Sequence, residues 1–119
     1  MGGRHVLRRP WQFRHVYDAG KKANGKYTVL FYHETGDPEA VPLIGVVASK
    51  RVGGAVERNR AKRLLREAVR DTANRLIRQD LWVVLVAKKG ILQCSSRDVA
   101  QDLQTVMMGE GLIRGKTSA

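Results

Sequence analysis

Seven consecutive apolar residues, Leu81-Trp82-Val83-Val84-Leu85-Val86-Ala87, constrain this chain more than any other stretch. The run is short, lacks strict alternation and includes three valines, the pattern of a strand buried on both faces. Such a strand is central in its sheet. With 119 residues there is enough chain for one domain whose core needs neither disulfide nor metal. The domain is expected to span 1–119, with only the first few residues and the tail after Gly111 loose. Neither repeats nor a low-complexity tract interrupt it.

Period and punctuation set out the remaining elements. Pro10 to Ala19 reads as a first helix, with proline where an opening turn tolerates it and Gly20 as the stop. Tyr27 to His33 and Pro42 to Ser49 are rich in aromatic and β-branched residues, and Glu34-Thr35-Gly36-Asp37-Pro38 between them is loop chemistry. The expectation is an antiparallel hairpin with a long loop. Ser95-Ser96-Arg97-Asp98 has the form of a capping box with aspartate in the glutamate position. Val99, Leu103, Val106 and Met107 then recur at helical spacing, predicting a closing helix.

The formal net charge is +11, which on a small domain favours polyphosphate partners through counterion release. Its distribution is uneven. Residues 50–70 carry eight basic side chains against two acidic, residues 1–26 seven against one, and residues 27–49 only three acidic ones. The two basic segments make one extended surface or two patches, according to how the chain folds. A membrane is the competing target for such charge. Against it, no apolar run approaches the ~18 residues of a spanning helix, and the N-terminus lacks the apolar stretch of a signal peptide. A soluble, cytoplasmic protein is the expectation. Cys94 is the single cysteine, which excludes an internal disulfide and reads as a packing residue.

From about Ala55 to Arg78 the basic segment has helical periodicity. At 100° per residue, Ala61, Leu64, Leu65, Ala68, Thr72 and Leu76 share one face. Asn59, Arg63, Arg66 and Arg70 gather on the opposite face with Lys62 beside them, and Arg58 and Arg60 flank the apolar stripe. One face is built to pack and the other to meet phosphates. The glycine pair Gly53-Gly54 ahead of it leaves free N–H groups at a helix N-terminus, which also suit an anion.

The run Lys50-Arg51-Val52-Gly53, Ala55-Val56, Arg58-Asn59-Arg60, Lys62-Arg63 and Arg66-Glu67 resembles the RNR motif of the bacterial ribonuclease P protein family. The similarity covers most of the chain. It implies an α/β sandwich of the ribosomal-S5-domain-2-like type, in α-β-β-β-α-β-α order, with a left-handed βαβ crossover where the general rule favours the right hand. It also implies a function: the protein subunit of the ribonuclease P ribonucleoprotein, assisting endonucleolytic removal of the 5′ leader from precursor tRNA. In such an enzyme the chemistry lies in the RNA subunit with its Mg2+, so no catalytic residue, metal or cofactor is assigned to the protein itself. By this resemblance Lys50, Arg51, Arg58, Asn59, Arg60, Lys62, Arg63, Arg66 and Arg70 would contact the catalytic RNA. The single-stranded leader would lie between the first helix and the sheet, on Phe13 and Tyr17 and on Thr28, Leu30 and Tyr32 of the first strand. A register one residue off would put Val29 and Phe31 there instead. The protein is expected to be a monomer apart from its RNA.

Plainer readings stand beside these. Aromatics four residues apart, such as Phe13 and Tyr17, are most often core, and Trp11 and Trp82 are assigned to packing. His5, His15 and His33 lack the mutual spacing of a metal site. Glu34, Asp37 and Glu39 belong to a solvated loop. A ribosomal or other structural RNA-binding protein is the alternative function. A stand-alone nuclease is disfavoured, because no cluster of acids, bases or ligands is evident.

Overall fold

The structure, a computed structural model, describes residues 6–114 except for the side chain of Asp71. In chain order it comprises α1 (Pro10–Ala19), β1 (Lys21–Asn24), β2 (Thr28–Glu34), β3 (Leu43–Val47), α2 (Ala55–Ala73), β4 (Leu81–Ala87), a 3-10 turn (Lys89–Gln93) and α3 (Ser96–Gly109). The order α-β-β-β-α-β-α is therefore present. The sheet runs β1-β2-β4-β3, with β4 antiparallel to β2 and parallel to β3. As its composition predicts, β4 is central, with Leu81, Val83, Val84, Leu85 and Ala87 buried.

The expected hairpin between the second and third apolar segments does not form. β4 lies between β2 and β3, because a strand apolar on both faces is best placed with a neighbour on each edge and cover on each side. The hairpin partner of β2 is instead β1, paired from Lys21↔Tyr32 to Asn24↔Val29. Its polar, lysine-rich sequence gives no strand signal and suits an exposed edge. Asp102 of α3 fixes the turn between these two strands, its carboxylate accepting from the backbone N–H of Lys26 at 2.8 Å and of Tyr27 at 2.9 Å.

Two apolar layers flank the sheet. Leu30, Tyr32, Val83 and Leu85 pack against Ala61, Leu65 and Ala68 of α2 and Val99, Leu103 and Met107 of α3. On the other face, Val16 of α1 with Leu7 and Val84 forms a smaller cluster that Phe13, Phe31, Leu43, Val47, Trp82 and Val86 surround. α3 begins as its sequence predicts: the Ser95 Oγ accepts the Asp98 N–H at 3.1 Å, and Asp98 returns the bond to the Ser95 N–H at 3.1 Å.

α2 ends at Ala73, five residues short of the expected Arg78. The Thr72 hydroxyl donates to the Val69 carbonyl, and beyond Asn74 the chain turns to pair Leu76 with Ile113. Leu76 is buried in this bridge rather than on the helix face. The same pairing ties down the tail after Gly111 as far as Arg114, with Leu112 and Ile113 both buried. The expectation of looseness at residues 1–5 and 115–119 lies outside the described residues. Before β4, Arg78 bonds Asp80 and Glu34 across the sheet end. The hydrogen bond from Arg78 holds the Asp80 carboxyl down at about 2 against the cost of its burial, and Asp80 also accepts the Gly36 N–H at 2.7 Å.

α1 is seated by one close approach. A Cβ on Gly45 of β3 would lie 2.6 Å from the Phe13 ring and 3.1 Å from the Leu7 Cβ. Gly45→Ala is therefore expected to lower stability by about 1–3 kcal/mol, as overpacking does, and to loosen α1 first. Urea unfolding with amide exchange along α1 measures both.

Candidate nucleic-acid interface

The cationic face is positioned by the packing on its reverse. Ala61, Leu65, Ala68 and Thr72 are fully buried, which fixes the rotation of α2 and turns Asn59, Arg60, Arg63, Arg66 and Arg70 outward, exposed, with Lys62 half-buried. Lys50 and Arg51 are exposed on the loop before the helix. That loop is stiff: Val52 is buried, its N–H bonds the Ser49 carbonyl at 3.0 Å, and Gly53 takes a φ of 151° that favours glycine. Arg58 differs from its neighbours, since its Nη1 donates to the Gly53 carbonyl at 3.1 Å and buttresses the turn. Among the described residues the outward cations of α2 make no ion pair, in contrast to Arg78, which pairs with Glu34 and Asp80.

The first helix crosses the other side of the sheet, and its two flanks differ. Phe13 rests on Gly45, while Tyr17 meets Phe31 of β2 edge-on with ring centroids 4.9 Å apart, and the Lys22 ammonium lies 5.8 Å from the same Phe31 ring. Partial burial raises the Tyr17 phenol above its ordinary pKa. Beyond this flank, at the sheet end, opens a groove of about 900 Å³ lined by Lys26, Val29, Ser49, Arg51, Val86, Ala87, Lys88, Lys89 and Gly90. Its floor is apolar and its walls are basic. Lys26 from the first basic segment and Arg51 from the second meet here, so the two segments approach one another at the groove. Lys26, Lys88 and Lys89 escaped the sequence reading; a lysine pair directly after the central strand was the available signal.

The pleat overturns the expected strand positions. Thr28 and Leu30 are fully buried and Tyr32 is 4% exposed, all on the face covered by α2 and α3. Tyr32 donates its hydroxyl to Glu110 at the end of α3, 2.7 Å away, and burial with this bond pushes its pKa up to about 12. None of the three can line a cleft against α1. Side chains alternate along a strand, so Val29 and Phe31 occupy the α1 face, in the register one residue off. Tyr27 stands at the strand's edge, packed against the larger core.

The histidines converge as their spacing did not suggest. His15 and His33 approach with their Nε2 atoms 3.2 Å apart, on the flank of α1 away from the groove. Of the three carboxylates expected on a solvated loop, Asp37 and Glu39 are exposed there, Asp37 accepting the Glu39 N–H, whereas Glu34 ends β2 and pairs with Arg78 at 3.1 Å. Among the described residues no helix is long and apolar enough to cross a membrane.

This geometry has relatives. The family model described as Ribonuclease P matches residues 1–109. The chain belongs to the ribonuclease P protein family. It is 32% identical over 113 residues to the ribonuclease P protein component of Fusobacterium nucleatum, covering 92% of this chain and 99% of that one. To the component of Streptococcus thermophilus it is 35% identical over 95 residues, 80% of this chain and 82% of the other. The fold matches the solved RNase P protein of Staphylococcus aureus with a TM-score of 0.78 at 17% identity, covering 92% and 98% of the two chains. That of Thermotoga maritima matches with a TM-score of 0.74 at 23% identity, again covering 92% and 98%. Membership makes the chain a protein subunit of the ribonuclease P enzyme, an RNA-binding component of tRNA processing, and the alternative of a ribosomal protein is not favoured.

A substitution separates the buried tyrosine from the interface. Tyr32→Phe is expected to cost about 0.5–1.5 kcal/mol of stability through loss of the bond to Glu110 while leaving RNA affinity unchanged. Denaturant titration and a binding isotherm check the two halves.

Proposed function

We propose that the outward face of α2 docks on the catalytic RNA, and that the groove beside α1 holds the single-stranded 5′ leader of precursor tRNA. Lys50, Arg51, Asn59, Arg60, Lys62, Arg63, Arg66 and Arg70 meet the phosphates of the RNA subunit. Arg58 contributes mainly by holding the turn that presents them. Tyr17, Phe31 and the edge of Phe13 offer ring surface to unpaired bases, Val29 and Val86 an apolar floor, and Lys26, Arg51 and Lys89 contacts to the leader backbone. Stacking tolerates any base, as a subunit serving many precursors requires. Thr28, Leu30 and Tyr32 have no part in it.

The observation that carries the reading is the convergence of the two basic segments at the groove, where Lys26 meets Arg51 of the loop that leads into the cationic face of α2. Arg51 stands where the two surfaces meet, so an RNA on α2 and a leader in the groove would lie side by side. The chemistry would reside in the RNA subunit with the Mg2+ it requires, and the protein, a monomer apart from its RNA and cytoplasmic, raises affinity for substrates that carry a leader.

Cleavage of a 5′-extended precursor tRNA by a bacterial ribonuclease P RNA at low Mg2+ tests this directly. Stimulation by the protein, with no cleavage by the protein alone, is expected; cleavage by RNA-free protein would sink it. Arg63→Ala should weaken holoenzyme assembly and make the slope of log K against log salt shallower by roughly 0.7–0.9, the effect of one phosphate contact. Tyr17→Ala should leave assembly intact and weaken precursor binding by about 1–3 kcal/mol, with mature tRNA unaffected. Equal loss for precursor and mature tRNA would reduce Tyr17 to a packing residue.

A further inference from the structure

We propose that His15 and His33 form a binding site for a divalent transition-metal ion of the kind that prefers imidazole, zinc or copper, clamping α1 to β2. The two Nε2 atoms are 3.2 Å apart and the rings stand at 88° to one another. With metal–nitrogen bonds of about 2.0–2.1 Å, nitrogens at that separation subtend about 100° at a shared ion, between the square-planar and tetrahedral angles. In the metal-free chain the two nitrogens share a hydrogen bond, one Nε2 donating its proton to the other; an ion would take the place of that proton, which moves to the far nitrogen of its ring, and a rotation of each ring turns both Nε2 lone pairs toward the common point.

The ligands are held in advance. His33 is cross-strand partner to Trp82, the His15 ring lies edge-on to Trp82 with centroids 6.0 Å apart, and Trp11 meets Trp82 at 5.7 Å. Two imidazoles from different elements, both beside the Trp82 indole, lose little freedom on binding. His15 is exposed and His33 half-buried, so an ion has a path in and keeps water on its remaining positions. Neither side chain belongs to the groove or to the cationic face of α2, so the site stands whether or not those surfaces meet RNA. Among the described residues no third histidine, cysteine or carboxylate completes a larger group, which makes this a two-ligand site that fills only when the ion is supplied. A bound ion would favour the folded chain by mass action and fix α1 against the sheet.

Trp82 borders the pair and Trp11, the chain's other tryptophan, meets Trp82, so tryptophan emission reports on the site. Cu2+ titrated into the metal-free full chain is expected to quench that emission saturably at one ion per chain. Zn2+ should compete and Mg2+ should not. His15→Gln and His33→Gln should each weaken binding roughly tenfold or more, since a second positioned ligand acts as a high effective concentration. His5→Gln should leave it intact. Quenching that survives both substitutions, that disappears in His5→Gln, or that never saturates overturns the site. Should either variant lose its fold, nitrogen NMR of the imidazoles in the unaltered protein decides: Zn2+ must shift His15 and His33 together, and unmoved resonances reject the proposal.

Discussion

β4 pairs with β2 from Leu81↔Glu34 to Ala87↔Thr28 and with β3 from Trp82↔Leu43 to Val86↔Val47, and each other element takes its place from that double pairing. A strand apolar on both faces leaves no solvent side to the middle of the sheet. One face takes α2 and α3, whose stripes bury Leu65, Val99 and Leu103, and the other takes α1 through Val16. The faces are unequal. Two helices seal the first, whereas the single short helix on the second covers only part of it and leaves the strand ends near Val29 and Val86 as a groove. The open surface is thus a consequence of layer arithmetic rather than of any residue chosen to line it.

α2 shows how packing fixes electrostatics. Alanine at 61 and 68 lets the helix lie close to its neighbours, and full burial there and at Leu65 leaves one rotation about its axis. The cations on the far side are thereby held in register at no cost beyond that of folding, and a phosphate partner meets side chains whose backbone is already ordered. Arg58 sits at the boundary between the two duties. Its guanidinium closes the glycine turn instead of facing outward, which shows that a motif residue can act through the scaffold that presents its neighbours.

How much was legible in the sequence followed from how local each signal is. α1, α3 with its reciprocal Ser95–Asp98 cap, the central place of β4 and the two faces of α2 all rest on period, proline, glycine or capping chemistry, and each appears as expected. Strand order was not legible, because the pairing of β2 and β3 with β4 joins segments far apart in sequence and depends on competition among partners. β1 was invisible, since two lysines and an asparagine on an edge strand carry no apolar pattern. The parity of β2 failed for a further reason: Thr28 to His33 mixes apolar and aromatic side chains on both faces, so alternation could not tell Leu30 from Phe31 until α3 covered one side. The end of α2 was likewise set from outside, by the pairing of Leu76 with Ile113.

α1 is the element on which these constraints converge. Its seat is narrow, because the Phe13 ring fits over Gly45 only where no Cβ intervenes, and Val16 at the centre is fully buried. A helix anchored along its middle presents two flanks, roughly 160° apart about its axis at the ordinary helical period. On one flank Phe13 rests on Gly45 and Tyr17 meets Phe31; on the other Trp11 and His15 meet Trp82 and His33. Any ligand on either flank therefore acts on the same rigid bar. A small rolling of α1 that shifted Tyr17 against Phe31 would alter the distance between His15 and His33, and a cross-link between those histidines would oppose it.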